Sequence, residues 1–121
     1  MSALADGGDG GAARARLVAF IDRHPGCAEA HNDLGVLAYQ AGDLAVALAA
    51  IDKAIALRAD CARYHRNRAL VLLSQGALET ALVALSRALS IDPEDADTLK
   101  VVAELETVRR QNAPRADAVR H

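Results

Sequence analysis

The segment Cys27–His31 reads CAEAH, and a near copy, CARYH, follows at Cys61–His65, 34 residues later. A fixed period between about 20 and 50 residues usually marks a stack of repeated supersecondary units. The two segments also contain both cysteines of the chain, and paired cysteines and histidines are the ligands of structural zinc sites. The segment is therefore compatible with a repeat or with a metal site, and the surrounding sequence has to distinguish them.

The correspondence extends well beyond the two short segments. When residues 28–61 are laid over residues 62–95, small residues, a glycine and large aliphatic residues recur in register. This recurrence favours one supersecondary unit that is present twice. The matched pairs are Ala28 and Ala62, His31 and His65, Gly42 and Gly76, Leu44 and Leu78, Ala47 and Ala81, Leu48 and Leu82, and Ala54 and Ala88.

The composition predicts that this unit is helical. Of the 121 residues, enough for one domain, 52% are hydrophobic but only 2% are aromatic. A core of alanine and leucine suits closely packed helices. The sequence also lacks the sustained alternation of β-branched and aromatic residues that predicts strands. We therefore expect an all-α protein.

Apolar residues at helical spacing, with breaks at Pro25, Gly42, Gly76 and Pro93, predict about six helices. Residues 1–11 are rich in glycine and have no periodic pattern, so we expect a flexible leader there and a disordered tail at 112–121. Between them we expect a single domain. It consists of a half repeat at 12–27, full repeats at 28–61 and 62–95, and a C-terminal capping helix at 96–111.

In this register the chain resembles the tetratricopeptide repeat family, whose unit of about 34 residues is a helix–turn–helix hairpin. Leu34 and Gly35 stand at the family's Leu-Gly pair, and Pro93 stands at its closing proline. His31 and His65 replace its tryptophan. The resemblance covers residues 12–111 and implies a right-handed α-solenoid of antiparallel helix hairpins. The family's other helix positions are matched by Ala47, Ile51 and Ala54 in the first unit and by Ala69, Ala81, Leu85 and Ala88 in the second.

The resemblance also implies a peptide-binding groove, because first-helix residues at fixed positions line the concave wall in this family. Asn67 stands where family members use an asparagine amide to hold a ligand's backbone. Arg63, Arg66 and Lys100 could favour an acidic segment of a partner. The implied groove residues are Glu29, Asn32, Asp33, Val36, Tyr39 and Gln40 in the first unit, Arg63, Arg66, Asn67, Leu70, Leu73 and Ser74 in the second, and Lys100 in the third.

The repeat register argues against zinc or a disulfide at the two cysteines. Neighbouring first helices lie about 10 Å apart, whereas zinc ligands must lie within about 4 Å of each other and bridged Cα atoms within about 7 Å. We expect Cys27 and Cys61 at helix N-caps, and His31 and His65 packed between helices. The sequence has no phosphate-binding loop, metalloprotease motif or serine-hydrolase motif, so we expect no enzyme activity and no cofactor.

The function we expect is that of a cytoplasmic adaptor or scaffold that binds a partner protein or peptide. A net charge of −2 provides no basic field for nucleic acid, and no segment reaches the roughly 18 apolar residues of a membrane span. Two alternatives stay open. The chain could be a self-assembling scaffold, since incomplete end repeats leave apolar faces that include Leu17 and Phe20. It could also be the accessory targeting domain of a glycosyl- or methyltransferase.

Overall fold

The computed structural model describes residues 2–112 of the chain, with side chains at 11–111. Within residues 2–112 it contains only α-helices joined by short turns, which confirms the all-α prediction. The helices are α1 (Ser2–Arg23), α2 (Ala28–Gln40), α3 (Leu44–Leu57), α4 (Ala62–Ser74), α5 (Leu78–Ile91) and α6 (Ala96–Asn112).

The first helix begins at Ser2, well before the start that the sequence predicts near Ala12. That expectation depended on the glycines, each of which costs about 1 kcal/mol relative to alanine in a helix. Glycine lowers helical propensity without forbidding helical dihedral angles, and each residue added to an existing helix gains a hydrogen bond. Residues 2–11 are therefore helical and continuous with α1. Met1 and most of the predicted tail, residues 113–121, lie outside the described residues.

The two hairpin turns have the same hydrogen-bond pattern. Gly42 and Gly76 both have a φ angle of 81°, a left-handed conformation that glycine adopts without a steric penalty. After α2, the Gly42 N–H donates to the carbonyl of Tyr39, and the Asp43 N–H donates to that of Ala38. This is a Schellman motif, and it ends the first helix of each hairpin at the position that the turn glycines predict.

Helices that follow each other in the chain pack against each other, and α2 also contacts α4. The hairpins are therefore α2 with α3 and α4 with α5, stacked side by side. The residues at the centre of these contacts are small, which lets the helix axes approach closely. Six alanines are completely buried, namely Ala38, Ala47, Ala54, Ala69, Ala81 and Ala88.

Gly35 marks the closest approach within the first hairpin. A Cβ atom at this position would lie 2.5 Å from Cγ1 of Ile51 and 3.1 Å from the carbonyl oxygen of Ala47. Both contacts come from α3, and one of them is a backbone atom that cannot move without shifting the helix. Gly35 is therefore required by the packing of α2 on α3.

The two histidines of the repeated segment are structural. The Nε2 atoms of His31 and His65 each lie 2.9 Å from a backbone carbonyl oxygen, of Pro25 and Ala59 respectively. A carbonyl oxygen only accepts a hydrogen bond, so both Nε2 atoms carry a proton. Both side chains are buried, and each fixes the first helix of a hairpin to the loop that precedes it.

Cys27 and Cys61 occupy the N-cap positions of α2 and α4 as free thiols, and neither makes a side-chain capping hydrogen bond. Within the described residues no group of three or more histidine, cysteine or acidic side chains is arranged to hold a metal ion.

Replacing Gly35 by valine is expected to destabilise the protein by about 2 kcal/mol, because overpacking a close helix contact forces side chains and backbone apart. Thermal unfolding followed by circular dichroism measures the effect. Gly26→Val is the matched control, since a Cβ atom at Gly26 meets no atom within 4 Å. Equal melting temperatures for the two variants would contradict the close packing at Gly35.

Candidate functional site

The facing sides of α2 and α4 enclose two adjoining depressions, which we call together the α2–α4 groove. The larger has a volume of about 510 Å³ and the smaller about 170 Å³. Val36, Gln40 and Asn67 line both, so the depressions form one continuous surface. The larger one is completed by Leu17, Asn32, Asp33, Leu37 and Arg63, and the smaller one by Tyr39, Ile51, Leu70 and Val71.

Two asparagine side chains meet in the larger depression. The Asn67 side-chain amide donates to Oδ1 of Asn32 at 3.0 Å, joining α4 to α2. Asn32 is almost completely buried at 1% exposure, and its own Nδ2 has no hydrogen-bond partner within the described residues. A buried polar group without a partner costs about 1–3 kcal/mol. The groove thus contains a donor whose hydrogen-bonding capacity the fold leaves unused.

At one end of the groove, Glu29 accepts two hydrogen bonds from α4. The Arg63 guanidinium donates to its Oε1 at 2.8 Å, and the Tyr64 hydroxyl donates to the same oxygen at 2.9 Å. The hydrogen bond from Arg63 is the main cause that lowers the pKa of Glu29 below its ordinary value. Burial, and then the hydrogen bond to Glu29, raise the pKa of Tyr64 to about 12. The carboxylate charge of Glu29 is therefore already compensated within the protein.

A second charged cluster ties α4 to the start of α6. Arg66 Nη1 donates to Oδ2 of Asp95 at 2.8 Å, and Oδ2 of Asp97 lies 3.9 Å from the same nitrogen. The Thr98 hydroxyl also donates to Asp95. This hydrogen bond, followed by the one from Arg66, lowers the pKa of Asp95 below its ordinary value. Arg66 is therefore part of the contact between repeats and points away from the α2–α4 groove.

Asp33 is the acidic group of the groove that has no strong cationic partner. Partial burial, followed by repulsion from the nearby Glu29 carboxylate, raises the pKa of Asp33 above its ordinary value, although Arg63 acts in the opposite direction. The groove consequently has a weakly compensated negative group, Asp33, near Glu29.

Some of the predicted groove residues lie elsewhere. Leu73 packs against the buried cluster between α4 and α5 and does not line either depression, so a binding role for it stays a prediction. Lys100 is exposed on α6 and does not line the α2–α4 groove. The Ser74 hydroxyl donates to the Tyr39 hydroxyl at 3.4 Å, across the far end of the groove.

The walls of the groove include residues that the repeat positions do not indicate. Ile51 from α3 and Leu17 from α1 belong to second helices of their repeats, yet both reach the concave surface beside α2. Their apolar character was visible in the sequence, where it predicts only core packing. The gap between neighbouring first helices exposes them, and this gap depends on the three-dimensional arrangement.

Paired antiparallel helices in a 34-residue register, with a groove along their first helices, define a helical-repeat solenoid. The sequence profile of the tetratricopeptide repeat family matches the chain over residues 2–60 and again over 37–96. The chain therefore belongs to the tetratricopeptide repeat family. Members of this family are generally non-catalytic modules for protein interaction.

Solved structures give the same result. The crystal structure of MamA is 25% identical and superposes with a TM-score of 0.79, covering 97% of this chain and 67% of that one. A mutant of the O-GlcNAc transferase of Thermobaculum terrenum is 27% identical with a TM-score of 0.71, over 80% of this chain. The chain spans only 19% of the length of that transferase. No curated protein sequence matches the chain.

None of the helices within the described residues is both long and apolar enough to cross a membrane.

The Asp95 cluster predicts how stability depends on pH. A carboxyl group whose pKa is lowered on folding stabilises the folded state above its unfolded pKa, ordinarily 3.8 for Asp95, and loses that contribution as the pH falls through the folded value. Asp95→Asn is expected to lose about 1–3 kcal/mol at pH 7, because a charged hydrogen-bond acceptor is removed. The difference in melting temperature between Asp95→Asn and the unsubstituted protein should narrow as the pH falls below about 4.

Thermal melts across that pH range test this expectation. Asp60→Asn is the control, because the Asp60 side chain is 84% exposed and its substitution should leave the melting temperature unchanged at every pH. A difference in melting temperature between Asp95→Asn and the unsubstituted protein that stays constant down to pH 2 would show that the Asp95 carboxylate does not stabilise the fold.

Proposed function

We propose that this chain is a non-enzymatic adaptor that binds an extended segment of a partner protein in the α2–α4 groove. The observation that carries the proposal is the pair of side-chain amides of Asn32 and Asn67 at the larger depression, where the buried Nδ2 of Asn32 has no hydrogen-bond partner within the described residues. A peptide backbone presents carbonyl oxygens at regular intervals, and one of them would satisfy this donor once the Asn32 side chain turns toward the depression. The cytoplasmic setting expected from the sequence stays a prediction.

The apolar wall of the groove supports a partner with a large apolar side chain. Val36, Ile51, Leu70 and Val71 line the smaller depression together with the ring of Tyr39. Burying one aliphatic or aromatic side chain there would contribute about 1.5–3 kcal/mol. Extended peptides are usually recognised in two ways at once. Hydrogen bonds to the peptide backbone give affinity, here from the asparagines, and an adjacent side-chain pocket gives specificity.

The charges around the groove bear on the acidic partner segment that the sequence suggests. Arg63 already binds Glu29, and Arg66 already binds Asp95, so an acidic partner would have to displace one of these carboxylates. Asp33 faces the larger depression without a strong cationic partner. We therefore propose that binding depends on the backbone and on an apolar side chain more than on acidic residues of the partner.

A second candidate function is that of a targeting segment within a larger transferase. The likeness to the O-GlcNAc transferase of Thermobaculum terrenum favours it, since the chain corresponds to 19% of that enzyme's length. A transcript of the gene that continues into a catalytic domain would support this alternative. The groove would then bind the substrate protein of that enzyme.

The proposal is tested by measuring how substitutions in the groove change the binding of a partner peptide. Partners captured by the purified protein are identified by mass spectrometry, and their binding segment is synthesised as a labelled peptide for fluorescence anisotropy. Val36→Arg blocks both depressions and is expected to weaken peptide binding at least tenfold. Asn67→Ala should weaken binding less, because it removes one of the two amides and its hydrogen bond to Asn32 but leaves the apolar wall intact.

Val83→Arg provides the matched control. Val83 lies on α5 with 68% of its surface exposed and does not line the groove, so this variant should bind the peptide as the unsubstituted protein does. Circular dichroism confirms that each variant keeps its helical content. Unchanged affinity of Val36→Arg for the peptide would refute the groove as the binding site.

A further inference from the structure

Both ends of the stack are incomplete repeats. In the 34-residue register, α1 corresponds to the second helices α3 and α5, and α6 corresponds to the first helices α2 and α4. Within residues 2–112, α1 has no first helix of its own repeat beside it, and α6 has no second helix. Each end therefore exposes a face that an intact hairpin covers.

The exposed face of α1 can be recognised from its register. Phe20 stands at the position of Ala54 and Ala88, which are completely buried, yet Phe20 is 39% exposed. Arg16 stands at the position of Ala50 and Ala84, which are also buried, and it too is exposed. Since α2 packs on α1 and leaves both residues uncovered, the missing cover is the first helix of the same repeat.

The exposed face of α6 is the counterpart. Leu99 stands at the position of the buried His31 and His65 but is 45% exposed. Ala103, in register with Gly35 and Ala69, is exposed as well. So is Glu106, which stands at the position of the buried Ala38 and Leu72. The part missing here is the second helix.

We infer that a second copy of this chain completes both ends, with α1 of one copy packing on α6 of the next as the second helix of a hairpin. The intact hairpin of α4 and α5 indicates which residues would meet in this contact. Leu72 and Ala84 belong to one buried cluster of that hairpin. Glu106 and Arg16 hold the same two positions on α6 and α1, so the contact between copies brings an acid and a base together.

The same charges select the geometry of association. If α6 packed on α6 with Glu106 at the two-fold axis, two Glu106 side chains would meet, and if α1 packed on α1 with Arg16 at the axis, two Arg16 side chains would meet. Like charges in a partly dehydrated contact are unfavourable, so they oppose both two-fold arrangements. The head-to-tail contact is heterologous and extends into a ring or an open filament. It uses the ends of the stack and meets the α2–α4 groove at Leu17, which stands at the position of the buried Ile51.

Sedimentation velocity over a range of protein concentrations tests the inference, using the unsubstituted protein, Arg16→Glu, Glu106→Arg and an equimolar mixture of these two variants. The unsubstituted protein is expected to show a mass that rises with concentration. Each variant alone pairs like charges at every contact and should associate at least tenfold more weakly. In the mixture every contact between the two variants pairs opposite charges, so association should return.

Val83→Glu is the control, because it adds an acid at an exposed site outside the proposed contact and should associate normally. Arg16 and Glu106 are both exposed in the single chain, so their substitution should leave helical content unchanged, as circular dichroism will check. A strictly monomeric unsubstituted protein at its highest soluble concentration would overturn the inference. So would a mixture that stays monomeric, or weakening by only one of the two substitutions.

Discussion

The two helices of each hairpin approach each other closely, and this contact determines how the hairpins stack. Gly35 leaves no room for a Cβ atom against α3, and alanines fill the equivalent contacts throughout the stack. Close packing fixes where each hairpin presents its first helix. Because that arrangement repeats every 34 residues, the facing sides of α2 and α4 together line one continuous groove. The groove thus follows from the small residues of the core.

Polar groups join the hairpins where apolar packing ends. Two clusters connect each repeat to the next near the beginning of its first helix. One consists of Glu29 with Arg63 and Tyr64, and the other of Arg66 with Asp95 and Thr98. Arg68 adds a similar contact to Asp52 at 2.7 Å. These pairs neutralise charges that would otherwise make the groove either positively or negatively charged. The unused hydrogen-bonding capacity is left to the asparagine amides, which are neutral and suited to a peptide backbone.

The sequence was sufficient for the fold because the helix breaks and small residues are local signals that recur with a fixed spacing. Gly42 and Gly76 end helices where the sequence predicts, and Asn32, Val36 and Asn67 lie in the groove as the family resemblance implies. It could not predict which side chains bind each other. Leu73 turned toward the core, and Arg66 toward Asp95, because neighbouring repeats supply partners that a single repeat position does not specify. The sequence also placed the start of α1 too late, near Ala12 instead of Ser2, because the glycines there lower helical propensity without preventing a helix.

In the proposed binding mode, the Asn32 and Asn67 amides bind the backbone of a partner in the α2–α4 groove. The most direct measurement is a titration of ¹⁵N-labelled protein with the partner peptide, followed by NMR at a low protein concentration. The side-chain NH₂ signals of Asn32 and Asn67 should shift strongly, while the signals of α5 stay in place. Shifts confined to α1, α5 or α6, with both asparagine signals unmoved, would contradict the proposed binding mode.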